Sequence, residues 1–206
     1  MMQTTKDDRP IGQRELQRLE TRRNLSEHAI RLFSERGFDQ TTVEEIAAAA
    51  GVSTRTFFLH FPTKAAAAFP DHGERVEAVV QRLREGAPHA DPMSHLRQVI
   101  LAGFDTTSPT RLIRYSLLRE SADLRDEDAR TDRDYELVIA DFLITHWGSS
   151  VEATVRAHAV ANATIGVVRA ALVAGAEHGL DARQVTGEIL QRMFGGPFDG
   201  PLHSVH

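Results

Sequence analysis

The chain is 206 residues long, 41% hydrophobic and 26% charged, a balance typical of one or two soluble globular domains with a proper core. It has no cysteine, so neither a disulfide framework nor a thiolate metal site can form. Its net charge of −5 argues in total against a nucleic-acid partner, but residues 1–64 hold ten Lys/Arg against nine Asp/Glu and the acid excess falls on the rest. A head so weakly charged gains little from counterion release, which predicts that two heads bind together.

The opening MMQTTKDDRP lacks the apolar run of a secretory leader, so the cytoplasm is the expected compartment. Residues 1–20 read as a flexible basic extension. Between Gln13 and Arg23 the residues Arg14, Arg18 and Arg22 recur every four positions, one positive edge on a helix. That edge is either a phosphate-contacting extension of the first helix or an ordinary solvated face. Leu25, Ala29, Leu32 and Phe33 mark the buried stripe of the first helix. Gly37 ends it, and Phe38 folds back over it.

The stretch TTVEEIAAAAGVSTRTFFLHFPTK, residues 41–64, carries the strongest local signals. Thr42 with Glu45 forms a capping box, and Val43, Ile46, Ala47 and Ala50 share one face of the short helix that follows. Gly51 stops it, because the residue past a helix end needs positive φ. Ser53 caps a second helix at once, carrying Phe57 and Phe61 inward. Two short helices joined by a glycine turn make a helix-turn-helix, whose second helix lies in the DNA major groove.

A recognition helix beginning at Ser53 turns Thr54, Arg55 and Thr56 toward base edges. Arg55 leads, because a guanidinium grips guanine O6 and N7 with two bonds; the alternative is a phosphate contact that positions without reading. Thr42 can donate to a phosphate with nearby amides, or serve as a cap alone. His60 lies where it can donate to the DNA backbone or simply pack.

These residues resemble the N-terminal domain of the TetR family of transcriptional repressors, on TTVEEIAAAAGVS and TRTFFLHFPTK preceded by LFSERGF. The resemblance covers residues 22–69, within a DNA-binding domain drawn at 21–69. It implies a homodimer, a three-helix DNA-binding head and a larger helical body in which a small molecule weakens DNA binding. It also implies that Lys64, opening the fourth helix, binds phosphate. Phe58 stands where many relatives carry Tyr, whose hydroxyl touches phosphate. That bond is absent here, leaving Phe58 to pack against sugar or complete the head's core.

The body is drawn at residues 70–194. The alanines 65–68 begin the fourth helix, and Phe69, Pro70, Asp71 and Gly73 break it near Pro70. Asp71, His72 and Glu74 cluster there and read as a solvated loop rather than metal ligands. Val76, Val79, Val80 and Leu83 resume helical spacing and join head to body; residues 86–92 form a loop. Ser94–Phe104 brings Leu96, Val99 and Ile100 into register, and Arg111–Glu120 brings Leu112, Tyr115 and Leu118. The run Arg119–Glu136, with four Arg and eight acids, reads as a solvated turn and helix start. Tyr135–Trp147 is a buried helix with Val138, Ile139, Phe142, Leu143 and His146.

Between Ala157 and Ala176 the chain is apolar nearly all round except at His158, Asn162 and Arg169. Three polar groups disfavour a membrane span and favour a helix buried on two sides, where Gly166 and Ala170 permit close helix approach. Asp181 with Gln184 makes a capping box for a final helix with Val185, Ile189 and Met193 inward. By the resemblance, segments 151–178 and 182–194 form a four-helix dimer interface. The Gly- and Pro-containing tail 195–206 reads as disordered. With no strand pattern, the expected fold is all-α.

The resemblance also places a ligand pocket in the body. Val99, Phe104, Leu112, Tyr115, Phe142, His146 and Trp147 lie on the segments that line it in relatives, although each suits plain core. Tyr115, His146, Asn162 and Arg169 are the polar exceptions, either satisfied core groups or a ligand's polar anchor; Arg169 calls for an acidic partner or an anionic ligand. No phosphate loop, GxSxG elbow or HExxH pattern occurs, so no catalysis, metal or cofactor is expected. The expected protein is a repressor that binds a palindromic double-stranded operator as a homodimer and is released by an unknown small molecule. One alternative is a helix-turn-helix enzyme acting on DNA, which needs an acidic cluster for a divalent metal. The acids of 120–136, interleaved with arginines, read instead as ion pairs. The other is a helical adaptor whose head binds protein.

Overall fold

Helix starts and stops follow the local chemistry of the chain. The computed structural model describes residues 12–85, 91–104, 109–118 and 121–194, and among them every regular element is helical: α1 (Gln13–Arg36), α2 (Val43–Ala49), α3 (Thr54–His60), a 3-10 turn (Ala65–Ala68), α4 (His72–Arg84), α5 (Pro92–Ala102), α6 (Pro109–Leu117), α7 (Ala122–Trp147), α8 (Val151–His178) and α9 (Ala182–Phe194). The extension expected to be flexible over residues 1–20 is helical from Gln13, continuous with the rest of α1. Residues 1–11, most of the 86–92 loop and the tail from 195 lie outside the described residues. Gly37 closes α1 at φ 85°, and Phe38 folds back with its ring 4.9 Å from Phe33. The break near Pro70 is present, but the alanines before it form a tight turn of their own rather than the start of α4.

The head buries Leu25, Ala29 and Phe33 of α1, Ile46 and Ala47 of α2, and Phe57 and Phe61 at α3 in one cluster. That cluster continues into Leu117, Leu118 and Leu124, so the end of α6 and the start of α7 complete the head's core. Ser26 fastens the head further, its hydroxyl donating 2.6 Å to the Ala67 carbonyl in a buried position. A second cluster fills the body with Val79 and Leu83 of α4, Leu96, Val99 and Ile100 of α5, Ile139 and Leu143 of α7, and Ala157, Val160 and Ile165 of α8.

Four body expectations need correction in whole or in part. The run 119–136 does start a helix, but from Ala122 it is the first half of α7 rather than a turn, and Asp128 within it is only 6% exposed. Its burial has a partner, since Arg169 of α8 pairs with both Asp128 and Asp132. Among the described side chains at α6 and just past it, Leu118 is buried as expected and Tyr115 is half-buried against the core, but Arg114 and Leu117 are buried too. On α9, Ala182, Thr186 and Leu190 face inward, whereas Ile189 and Met193 are 37% and 45% exposed. Gly187 lies against α5, where a Cβ would meet the Leu101 side chain at 3.4 Å in ordinary van der Waals contact. Gln184 donates its amide to Asp181 as expected, but its own side chain turns to Glu188 rather than back to the cap.

α8 packs against α7, α9 and α6. Its opposite side carries Val155, Ala159, Asn162, Gly166 and Ala170, all exposed. By length and composition α8 passes for a membrane span, with mean hydropathy 1.6 over its most apolar window, and only 33% of that window is buried.

Phe57 is completely buried in the head, so Phe57→Ala should cost about 3–5 kcal/mol. Urea unfolding followed by circular dichroism measures this, and a loss below about 1 kcal/mol would mean that the head closes without its aromatic centre.

Candidate nucleic-acid interface

The recognition helix is built from its ends. Thr42 caps α2 by accepting from the Glu45 amide at 3.2 Å, and Glu45 accepts from the Thr42 amide at 2.9 Å, the reciprocal box expected from the spacing. Gly51 takes φ 70°, and the Val52 amide closes the turn on the Ala47 carbonyl at 2.9 Å. Ser53 then caps α3, accepting from the Thr56 amide at 3.1 Å. Phe57 and Phe61, both 0% exposed with ring centroids 5.6 Å apart, lock one side of α3 into the head.

The other side of α3 faces solvent. Arg55 is exposed and has no ion pair among the described residues, with Thr54 and Thr56 half-buried beside it. Phe58 is 55% exposed, edge-on to Phe57, so it does not complete the head's core. Leu59 is 70% exposed, a feature the motif did not single out. The signal was present, since once 57 and 61 point inward, 58 and 59 on a helix must point out.

The basic residues divide. Arg14 and Arg18 are exposed, Arg18 in a 3.4 Å pair with Glu15. Arg22 belongs to neither of its two expected roles. It donates to the Pro70 carbonyl at 2.8 Å and to the His60 carbonyl, and its guanidinium lies 4.3 Å from the centre of the Phe61 ring. Lys64 also turns inward, donating to the carbonyls of Phe38 at 2.7 Å and Thr41 at 2.8 Å and lying over the Phe38 ring. Burial lowers its pKa while Asp39 and Asp123 oppose the shift. Lys64 therefore closes the head, with only its remaining hydrogen available to a phosphate. The Thr42 hydroxyl is directed to Glu45, whose carboxyl lies below its ordinary range through hydrogen bonds from Thr42. His60 is half-buried, and its Nδ1 is buried without a hydrogen-bond partner.

The residues expected to line one pocket do not converge. Phe104 borders a cavity with Asp71, Arg75, Arg114 and Tyr135. Phe142 and His146 border a separate groove with Val80 and Leu83. Val99 is buried core, and Tyr115 packs between the head's core and a small cluster around Leu172. The guanidinium of Arg156 lies 4.4 Å from the centre of the Trp147 ring. Asn162 faces outward and bonds its own helix at the His158 carbonyl. Arg169 has the acidic partners expected of it, Asp128 and Asp132. The Leu112 side chain lies outside the described residues. Asp71, His72 and Glu74 are not a solvated loop but the entry of α4: Asp71 stands 3.7 Å from both Arg75 and Arg114, and His72 bonds Asp134 at 2.7 Å. No group of three or more His, Cys, Asp or Glu able to hold a metal occurs among the described residues.

A capped pair of short helices, the second one anchored by aromatic residues and open on its outer side, defines a helix-turn-helix protein on an all-helical body. Residues 25–66 match the family of bacterial regulatory proteins described as the tetR family. The HTH-type transcriptional regulator YerO of Bacillus subtilis (strain 168) is 21% identical over 187 residues, which is 84% of this chain and 63% of YerO. AcrR of Shigella flexneri is 33% identical over 91 residues, 43% of this chain and 42% of that protein. The chain thus spans less than two thirds of these curated relatives. Over nearly its whole length it shares the fold of the TetR-family repressor FadR of Thermus thermophilus, solved with lauroyl-CoA, at TM-score 0.55 and 21% identity, covering 90% of this chain and 98% of FadR. Residues 25–66 are thus similar to the DNA-binding domain of the TetR family of regulators, and over the rest of the chain the likeness is one of fold.

Burial first, then the charges of Arg18 and Arg22, hold the His60 imidazole below its ordinary pKa. The unfolded chain therefore takes up this proton before the folded chain does, and stability falls on acidification. Lowering the pH from about 7.5 to about 5.5 should reduce Tm less in His60→Gln than in the wild type. Equal reductions in differential scanning calorimetry would show that His60 titrates normally.

Proposed function

We propose that the chain is a transcriptional repressor that binds a palindromic operator as a homodimer and leaves it when a small molecule enters the body. The observation that carries this reading is the outer side of α3, where Arg55, Phe58 and Leu59 face solvent on a helix fixed from behind by Phe57 and Phe61. Arg55 reads guanine, Thr54 and Thr56 lie beside it, and Leu59 and Phe58 suit thymine methyls and sugars. Thr42, His60 and the exposed Arg14 and Arg18 face the phosphates. The uncovered stripe of α8, with Ile189 and Met193 of α9, supplies the apolar surface a second copy would cover. Twofold symmetry then sets half-sites about one helical turn apart or a multiple of it. Support for a small-molecule effector comes from FadR of Thermus thermophilus, whose structure holds lauroyl-CoA. Such a repressor works in the cytoplasm.

A gel shift with DNA from upstream of the chain's own gene tests the reading, run with and without magnesium. An intact shifted band is expected in both cases. Cleavage in magnesium points to an enzyme, and no band points to an adaptor.

Arg55→Ala should weaken operator binding by about 1–3 kcal/mol and relax the preference for one base pair. An equal loss on random DNA would move Arg55 to a phosphate. Gly166 is exposed and a Cβ there meets nothing within 4 Å of its own chain, so Gly166→Phe should leave the protomer folded and break the dimer. Sedimentation velocity should then give the monomer mass together with lost operator binding. A Gly166→Phe protein that stays dimeric would place the interface elsewhere.

A further inference from the structure

We propose that the cavity beside the start of α4 is a site for a small organic carboxylate with an apolar body, its charge gripped by Arg114. This rests on the reading above, in which a ligand of the body governs DNA binding, and it names that ligand's chemistry. The cavity holds about 340 Å³, within the range of small-molecule sites. Arg75, Arg82 and Arg114 line it with Asp71 and Glu74, and Val79, Phe104 and Tyr135 give it apolar walls.

Arg114 is the unusual group. It is 7% exposed, yet its guanidinium makes no hydrogen bond with any described residue, and its Nε is buried without a partner. Its companions are the Asp71 carboxylate at 3.7 Å and the Phe69 ring, whose centroid is 5.1 Å away, with the Asp128 carboxylate acting on it from longer range. A charge-assisted bond from a guanidinium to a carboxylate spans about 2.7–2.9 Å, so this pair is an ion pair without hydrogen bonds. Asp71 shares the deficit, with Oδ1 buried and unbonded. A buried charge in this condition is unfavourable until acceptors arrive. Asp71 is ill placed to supply them by closing in, because it opens α4 immediately after Pro70, whose carbonyl Arg22 holds from the head. Burial lowers the pKa of Arg114 and Asp71 opposes the shift, but a guanidinium stays charged in proteins. A planar carboxylate entering the cavity satisfies the fork of donors, with Arg75 and Arg82 adding positive charge around it.

The same site gives the ligand leverage. A bound carboxylate competes with Asp71 for Arg114, and Asp71 is one residue from the carbonyl that Arg22 grips. Releasing Asp71 loosens the entry of α4 where it is tied to the end of the recognition helix.

The test is a thermal shift on the full chain, without DNA, using benzoate and octanoate against benzamide and octanamide at equal concentration. At least one acid should raise Tm, and its amide should not. Arg114→Met should weaken the acid's apparent affinity about tenfold or more, and Asp71→Asn, by removing the competing carboxylate, should strengthen it. If Arg114→Met does not fold, Arg114→Lys, which keeps the charge but loses the planar fork, should show an intermediate loss. An amide as effective as its acid, an acid response untouched at Arg114, or no response to either acid in wild type and Asp71→Asn overturns the proposal. The operator gel shift on the same protein separates the two readings. A chain that binds an acid but no DNA sinks only the repressor, and a chain that binds its operator and ignores both acids sinks only this site.

Discussion

Where the head sits is decided by Arg22. Its guanidinium bonds the carbonyls of His60 and Pro70 and lies over Phe61, so the last turn of the recognition helix and the residue ahead of α4 share one clamp. The clamp is partly buried, where a hydrogen bond to a charged group is stronger than at the surface. Around it the apolar core runs without interruption from Phe57 and Phe61 to Leu117, Leu118 and Leu124. Head and body are therefore not beads on a linker. A displacement of α6 or of the start of α7 reaches the same cluster that holds α3.

The polar contacts of the body converge on the same place. Asp71 faces Arg114 of α6, His72 bonds Asp134 of α7, and Asp128 and Asp132 of α7 take Arg169 of α8. α8 in turn offers the uncovered stripe on its far side. Charge pairs thus form a relay of contacts from that stripe to the entry of α4, each link joining two different helices. Asp128 marks how tight the relay is: burial raises its carboxyl pKa, against the pull of Arg169 and then of Arg114.

What the sequence revealed follows the range of the interactions concerned. The Thr42–Glu45 box, the Ser53 cap and the glycines at 37 and 51 are contacts within a few residues, and all appear in the structure as spacing predicts. The inward turn of Phe57 and Phe61 follows equally from helical periodicity. Arg22 and Arg114 were opaque, because each finds its partner some forty or more residues away, and no pattern along the chain reports such pairings. The pocket list failed for the same reason: Phe104 and Phe142 border different spaces, and only packing separates them. Arg169 is the intermediate case. An arginine in an apolar stretch demands an acid, and the demand was visible although its answer, in a run taken for solvated surface, was not. The α9 register was missed because that helix packs on both α5 and α8, neighbours that spacing along the chain does not report.

The two large apolar side chains that α3 presents to water, Phe58 and Leu59, would give the DNA complex proposed above a thermodynamic character of its own. With Phe58 in place of a hydroxylated ring, part of that proposed contact with the duplex would be made by dehydrating carbon rather than by releasing counterions. Association then lowers the heat capacity of the system, and its strength changes with temperature more, and with salt less, than that of a head studded with lysines. On that reading, a head whose first residues carry almost no net charge would still hold its site at ordinary ionic strength, because salt does not screen the part of the grip that Phe58 and Leu59 would supply.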